Sequence, residues 1–126
     1  MRVLVVDDFW LTRKMVCEIL TEDCGIEDVR EAVDGVDAME QLLASSFDLA
    51  VVDIDMPRKD GFALIAETRQ LKKEQKFLVL SALSDSVYVD RALALGALGF
   101  VAKGVEPEVI AAAVRRALSS EYAPPA

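Results

Sequence analysis

The chain has 126 residues, 53% of them hydrophobic, and a formal net charge of −8, which suits one folded domain with a single well-buried core and excludes intrinsic disorder. No apolar run is long enough to span a bilayer and no positively charged leader precedes a cleavage site, so a cytoplasmic setting without a membrane partner is expected. The acidic balance disfavours direct nucleic-acid binding, and a sequence without His has no imidazole acid–base catalyst and no His-ligated metal site.

The first strand signal is Arg2–Val6, where Val3-Leu4-Val5-Val6 runs straight into Asp7-Asp8. Leu11, Met15, Ile19 and Leu20 then follow helical spacing. Cys17 and Cys24 flank the end of this helix; if both were helical they would lie about 10 Å apart, too far for a disulfide, so two free thiols are expected. A second strand is predicted over Asp28–Ala32, then a turn at Asp34-Gly35 and a helix carrying Val36, Met39, Leu42 and Leu43. The third strand, Leu49–Asp53, is an apolar run that stops on a carboxylate. Beyond the turn Lys59-Asp60-Gly61, a third helix carries Phe62, Ile65, Ala66 and Arg69. The strand Phe77–Ser81 precedes a fourth helix with Val87, Arg91 and Leu95, for which Asp85 is a plausible N-cap. Gly99–Ala102 is the last strand, and Pro107 suits the first turn of a fifth helix bearing Val109, Ile110, Val114 and Ala117. Residues 120–126 lose the helical pattern and read as a tail or the start of a linker.

Continuous apolar strands alternating with helices indicate a doubly wound parallel sheet, whose ligands bind outside the carboxyl ends of the strands. Asp7, Asp8 and Asp53 then converge at one mouth. Carboxylates about 4 Å apart repel by about 4 kcal/mol per pair at an effective dielectric near 20. Such a cluster needs a cation or raised pKa values. An all-oxygen site suits Mg²⁺ first, with Mn²⁺ as a second choice. Taken singly, Asp7 or Asp8 is equally readable as a helix cap, Asp53 as a turn residue, and Ser81 as a strand-end hydroxyl bonded to local backbone. Lys103 would be the one cation among several carboxylates, which favours a functional ion pair over a lysine reaching for solvent. Carboxylate, metal, hydroxyl and ammonium together are what a phosphoryl group requires.

Val5-Val6-Asp7-Asp8-Phe9, Asp34-Gly35-Val36-Asp37-Ala38, Val51-Val52-Asp53-Ile54-Asp55-Met56-Pro57 with Asp60-Gly61, Ser81-Ala82, and Gly99-Phe100-Val101-Ala102-Lys103 together resemble the receiver domain of two-component response regulators. The first half is most similar to chemotaxis receivers, the second to receivers that precede a helix-turn-helix output domain. The resemblance implies a flavodoxin-like (βα)5 sandwich of strand order 2-1-3-4-5, a receiver domain over 1–119, and a Mg²⁺-dependent phospho-acceptor switch. It matches Asp53 to the acceptor of a phosphoryl group from a histidine kinase or phosphotransfer protein. Asp7 and Asp8 match the metal-holding pair, Asp55 a position offering its backbone carbonyl to the metal, Ser81 the switch hydroxyl, Lys103 the phosphate-pairing lysine, and Phe100 the aromatic that turns on activation. A homodimer through the fourth helix, fifth strand and fifth helix is expected, as is a role as the input half of a transcription regulator; the domain would catalyse only its own phosphorylation and dephosphorylation. Two departures stand out: Gly104 replaces a usual proline and loosens the 103–106 loop, and Leu83 puts an apolar side chain near the phosphoryl entrance, where it would slow attack by water. Two other classes compete. One is a phosphatase with an aspartate nucleophile, suggested by Asp53-x-Asp55 but opposed by Asp7-Asp8 and the lack of room for a cap domain. The other is a phosphorylation-independent scaffold, opposed by the complete acidic site with Ser81 and Lys103.

Overall fold

A computed structural model describes residues 1–121; the predicted tail from Tyr122 onward lies outside the described residues. The element order is β1 (Arg2–Val6), α1 (Trp10–Glu18), a π-helical turn (Ile19–Asp23), β2 (Asp28–Ala32), α2 (Gly35–Ala44), β3 (Leu49–Val52), α3 (Gly61–Leu71), β4 (Phe77–Ser81), α4 (Ser86–Ala94), β5 (Phe100–Ala102) and α5 (Pro107–Ser119). All pairings are parallel, and the five-stranded sheet has the order β2-β1-β3-β4-β5.

The period-two alternation of each strand divides the core. Leu4 and Val6, Ala50 and Val52, Phe77 and Val79 point to one face and pack with Leu42, Ile65 and Ala92 of α2, α3 and α4. Val3 and Val5, Leu49 and Val51, Leu78 and Leu80 point to the other, against Val16, Ile110 and Val114 of α1 and α5. Each fully buried Val or Leu of the central strands stabilises the fold by about 1.5–3 kcal/mol relative to exposure. That burial fixes the register, and the register places the strand ends: Val6 lies opposite Val52, and Val52 opposite Val79.

The helix faces depart from the sequence pattern. Leu11 and Met15 are exposed, and α1 buries Val16, with Ile19 and Leu20 following in the π-helical turn. In the first turn of α1, Trp10 and Leu11 both stay exposed. Val36, Leu43, Val87 and Val109 are likewise exposed, whereas Ala38, Leu64, Ala92 and Ala111 are buried. Small residues occupy several positions where helix and sheet come closest. Asp34 caps α2 by accepting from the Asp37 amide at 2.8 Å, and Asp60 caps α3 through the Ala63 amide at 2.8 Å. Asp85 stands at the N-cap of α4 without a side-chain capping bond. At the far end, Lys76 Nζ donates to the carbonyls of Ala117 (3.2 Å), Leu118 (3.2 Å) and Ser120 (2.6 Å), closing the C-terminus of α5 onto the start of β4. Cys17 and Cys24 are free thiols, as expected.

Candidate acidic site

The carboxyl ends of β1, β3, β4 and β5 meet at one mouth. Asp53 falls one residue past β3, yet its amide still donates to the Val6 carbonyl at 3.0 Å, so the sheet ladder itself places it beside Asp7. One carboxylate oxygen from each of Asp7, Asp8 and Asp53 lies within 4.8 Å of the others. Asp7 and Asp53 are each only 4% exposed, while Asp8 is open to solvent.

Lys103, one residue past β5, is held by its own amide, which donates to the Ser81 carbonyl at 2.9 Å. Its Nζ bridges Asp7 Oδ2 and Asp53 Oδ2, both at 2.9 Å. Burial alone would lower the ammonium pKa, but the hydrogen bonds and charges of the two carboxylates hold it above its ordinary value. Burial pushes the Asp7 carboxyl up, against the opposing pull of Lys103 and of the Phe9 amide, which donates to Asp7 Oδ1 at 2.9 Å. The second oxygen of Asp53, Oδ1, accepts from the Asp55 amide at 3.1 Å. The helix-cap reading of the acidic pair is thereby corrected: Phe9 stands at the N-cap of α1 without a side-chain cap bond, and Asp7 bonds an amide outside the helix.

Ser81 is fully buried; its Oγ accepts from the Leu83 amide at 3.1 Å, and no described residue takes its proton. The Asp55 side chain is exposed. Leu83 is half-buried and packs on the core face shared by α2, α3 and α4, as does Phe100. Phe100 also lines a groove of about 610 Å³ between β5 and α5, with Val101, Val109, Ala112 and Ala113. Ala111, next to them on α5, is buried. Gly104 has φ +94°, a left-handed backbone that proline, fixed near −65°, could not adopt.

The structure adds residues that no local pattern marked. Arg13 Nη1 donates to the Asp7 carbonyl at 2.8 Å and its Nε to Glu31 Oε1 at 2.9 Å. Asp34 is tied by Arg58, so the loop after β3 is joined to the loop after β2. A Cβ on Gly35 would collide with the Lys59 carbonyl, which explains glycine at that junction.

With this geometry in view, residues 3–115 match the response regulator receiver domain. The chain belongs to that family. A chemotaxis protein CheY from Treponema pallidum is 39% identical over 107 residues, covering 83% of this chain and 74% of that one. A protein-glutamate methylesterase/protein-glutamine glutaminase from Methanospirillum hungatei is 38% identical over 104 residues, 81% of this chain but only 30% of the longer enzyme. Among solved structures, a CheX-CheY-BeF3-Mg²⁺ complex from Borrelia burgdorferi superimposes with a TM-score of 0.89 at 26% identity, over 95% of this chain and 90% of that one. The receiver is a phospho-acceptor signalling switch. No helix among the described residues is long and apolar enough to cross a membrane.

Proposed function

We propose that this receiver, residues 1–119, takes its phosphoryl group on Asp53 in a Mg²⁺-dependent reaction, from the phosphohistidine of a histidine kinase or phosphotransfer protein. The observation that carries this reading is the Lys103 bridge between Asp7 and Asp53, with Asp8 beside it. The three carboxylates form a hard, all-oxygen donor set that suits Mg²⁺, with Mn²⁺ as a substitute, and the Asp55 backbone carbonyl is a further candidate ligand. The metal, when bound, neutralises phosphoryl oxygens.

The protein's own groups do the rest. A carboxylate oxygen of Asp53 attacks phosphorus in line; the new P–O bond forms as the P–N bond breaks, and its electron pair leaves with the donor imidazole. The Asp55 amide orients Asp53 through Oδ1. Lys103 can pass from the carboxylate to a phosphoryl oxygen, and the free proton of Ser81 can serve another. Drawing Ser81 inward vacates space behind it for the Phe100 ring. The change then reaches α4, β5 and α5, where a partner or second copy of the chain would bind. This is self-modification rather than turnover of an external substrate. Where the receiver lies within a longer chain, an output domain such as a DNA-binding regulator would read the switch.

Acetyl phosphate with Mg²⁺ should add one phosphoryl group, seen by mass spectrometry on the Asp53 peptide and lost in Asp53→Asn. An adduct on Asp55 or a serine, or repeated turnover of a generic phosphomonoester, would overturn the assignment.

A further inference from the structure

We infer that Arg13 is a positioning residue for the metal site, holding the Asp7–Asp8 peptide from behind so that Asp8 faces the mouth. This rests on the proposed Mg²⁺ role of the acidic pair and concerns a group that cannot itself touch the ion.

Asp8 is exposed, and its carboxylate has no hydrogen-bond partner among the described residues. Its direction therefore depends on the backbone that carries it. The carbonyl of Asp7 belongs to the peptide unit joining Asp7 to Asp8, so a bond to that oxygen fixes the plane of the peptide and the outset of the Asp8 side chain. Arg13 supplies the bond, at 2.8 Å from Nη1. The anchor is rigid. The Arg13 side chain is only 12% exposed, and its Nε is held at 2.9 Å by Glu31, a β2 residue paired in the sheet with Val5 of β1. Glu31 is itself held by Lys14 Nζ at 2.8 Å, and its backbone carbonyl accepts from Gln41 Nε2 at 2.7 Å.

Asp7 is thus fixed at four atoms: its amide by the Ala32 carbonyl, its own carbonyl by Arg13, Oδ1 by the Phe9 amide, and Oδ2 by Lys103. The last two orient the Asp7 carboxylate and the Phe9 bond also spans Asp8, while Arg13 holds the oxygen of the Asp7–Asp8 peptide itself. A planar guanidinium can serve a backbone oxygen and a carboxylate together in fixed directions, whereas a lysine ammonium lacks that fork. Partners that orient metal ligands behave in this way, and their loss typically weakens metal binding about 10- to 100-fold.

The test is a Mg²⁺ titration followed by Trp10 emission, with thermal unfolding in EDTA measured in parallel. It compares the parent with Arg13→Ala, Arg13→Lys, Glu31→Gln and Arg2→Ala. The last breaks the Arg2–Asp28 ion pair, which lies at the opposite end of β1 and β2. Arg13→Ala should raise the Mg²⁺ dissociation constant about ten-fold, Arg13→Lys should recover part of that loss, and Arg2→Ala should leave it unchanged whatever its effect on unfolding. With acetyl phosphate, the half-saturating Mg²⁺ for Arg13→Ala should rise in the same proportion while the rate at saturating Mg²⁺ stays close to the parent's. If Arg13→Ala does not fold, Arg13→Lys and Glu31→Gln decide by the same titration: weaker binding in either supports the role, and parental binding in both overturns it. Parental binding in Arg13→Ala, or equal weakening by Arg2→Ala, would overturn this inference alone. Absence of Mg²⁺ binding by the parent would overturn it together with the metal role of the acidic pair.

Discussion

Replacing Lys103 by Met should make the stability of this domain depend on divalent metal. The substitution keeps most of the buried stem and removes the charge that bridges Asp7 and Asp53. The two carboxylates are then left facing each other with oxygens within 4.8 Å, a repulsion of about 3.5 kcal/mol at an effective dielectric near 20. Water entering the open side of the mouth screens part of this, so the expected loss in metal-free buffer is about 2–3 kcal/mol. A bound dication would restore the missing positive charge. Urea denaturation of parent and Lys103→Met should therefore differ widely in EDTA and converge as Mg²⁺ is raised, the variant gaining more from the metal than the parent does. Equal stability in EDTA, or equal gains from Mg²⁺, would show that Lys103 is not what holds the acidic pair together.

Gly61→Ala should cost about 2 kcal/mol or more and slow phosphorylation, because the added Cβ would lie 2.6 Å from the Asp53 carbonyl and 2.7 Å from Ile54 Cα; denaturation midpoints and acetyl phosphate labelling report the two effects. Asp34→Ala should destabilise by about 1–2 kcal/mol through loss of the α2 cap and of the Arg58 ion pair, measured by urea unfolding. The Asp37 amide and then Arg58 hold the Asp34 carboxyl below its ordinary value, so its contribution is complete above the unfolded pKa and fades as pH falls through the lower folded one. Asp34→Asn should accordingly flatten the acid limb of the stability profile. The Cys17 thiol is pushed up to about 11, chiefly by burial, so mass-mapped alkylation should be slow at pH 8 and quicken about ten-fold per pH unit; rapid labelling at pH 8 would refute that environment.

Four strands of the sheet were legible because they carry apolar runs that lead to Asp7, Asp53, Ser81 and Lys103, and strand ends of a parallel sheet share one edge; β2, Asp28-Val29-Arg30-Glu31-Ala32, is the exception. Parallel pairing then required little else to bring these residues together. Helix faces were less legible. Leu11 and Met15 have the spacing of a buried stripe, but α1 turns Val16 to the core instead, and Ile19 and Leu20 are buried from the π-helical turn that follows it. On α4, Ala92 is the fully buried contact and Val87 the exposed side chain, because close approach to the sheet favours a small residue over a large one. Arg13 and Glu31 left no signal at all. They are eighteen positions apart, and only the pairing of β2 with β1 makes them neighbours. The Arg69 guanidinium joins the carbonyls of Lys73 and Gln75 just beyond α3 to those of Leu95 and Gly96 at the close of α4, and the latter pair lies 26 and 27 positions away.

The Lys76 clamp has a mechanical consequence. It fastens the last turn of α5 to the beginning of β4, whereas Ser81 and Lys103 sit where β4 and β5 finish. The chain therefore leaves α5 at the pole opposite the acidic mouth, a five-residue strand of about 17 Å away. A phosphoryl group taken at the mouth, as proposed for Asp53, would act on that end of the chain through α5, with the clamp as a fixed point. Loosening Lys76 would leave the chemistry at the mouth untouched while letting that end of α5 go slack.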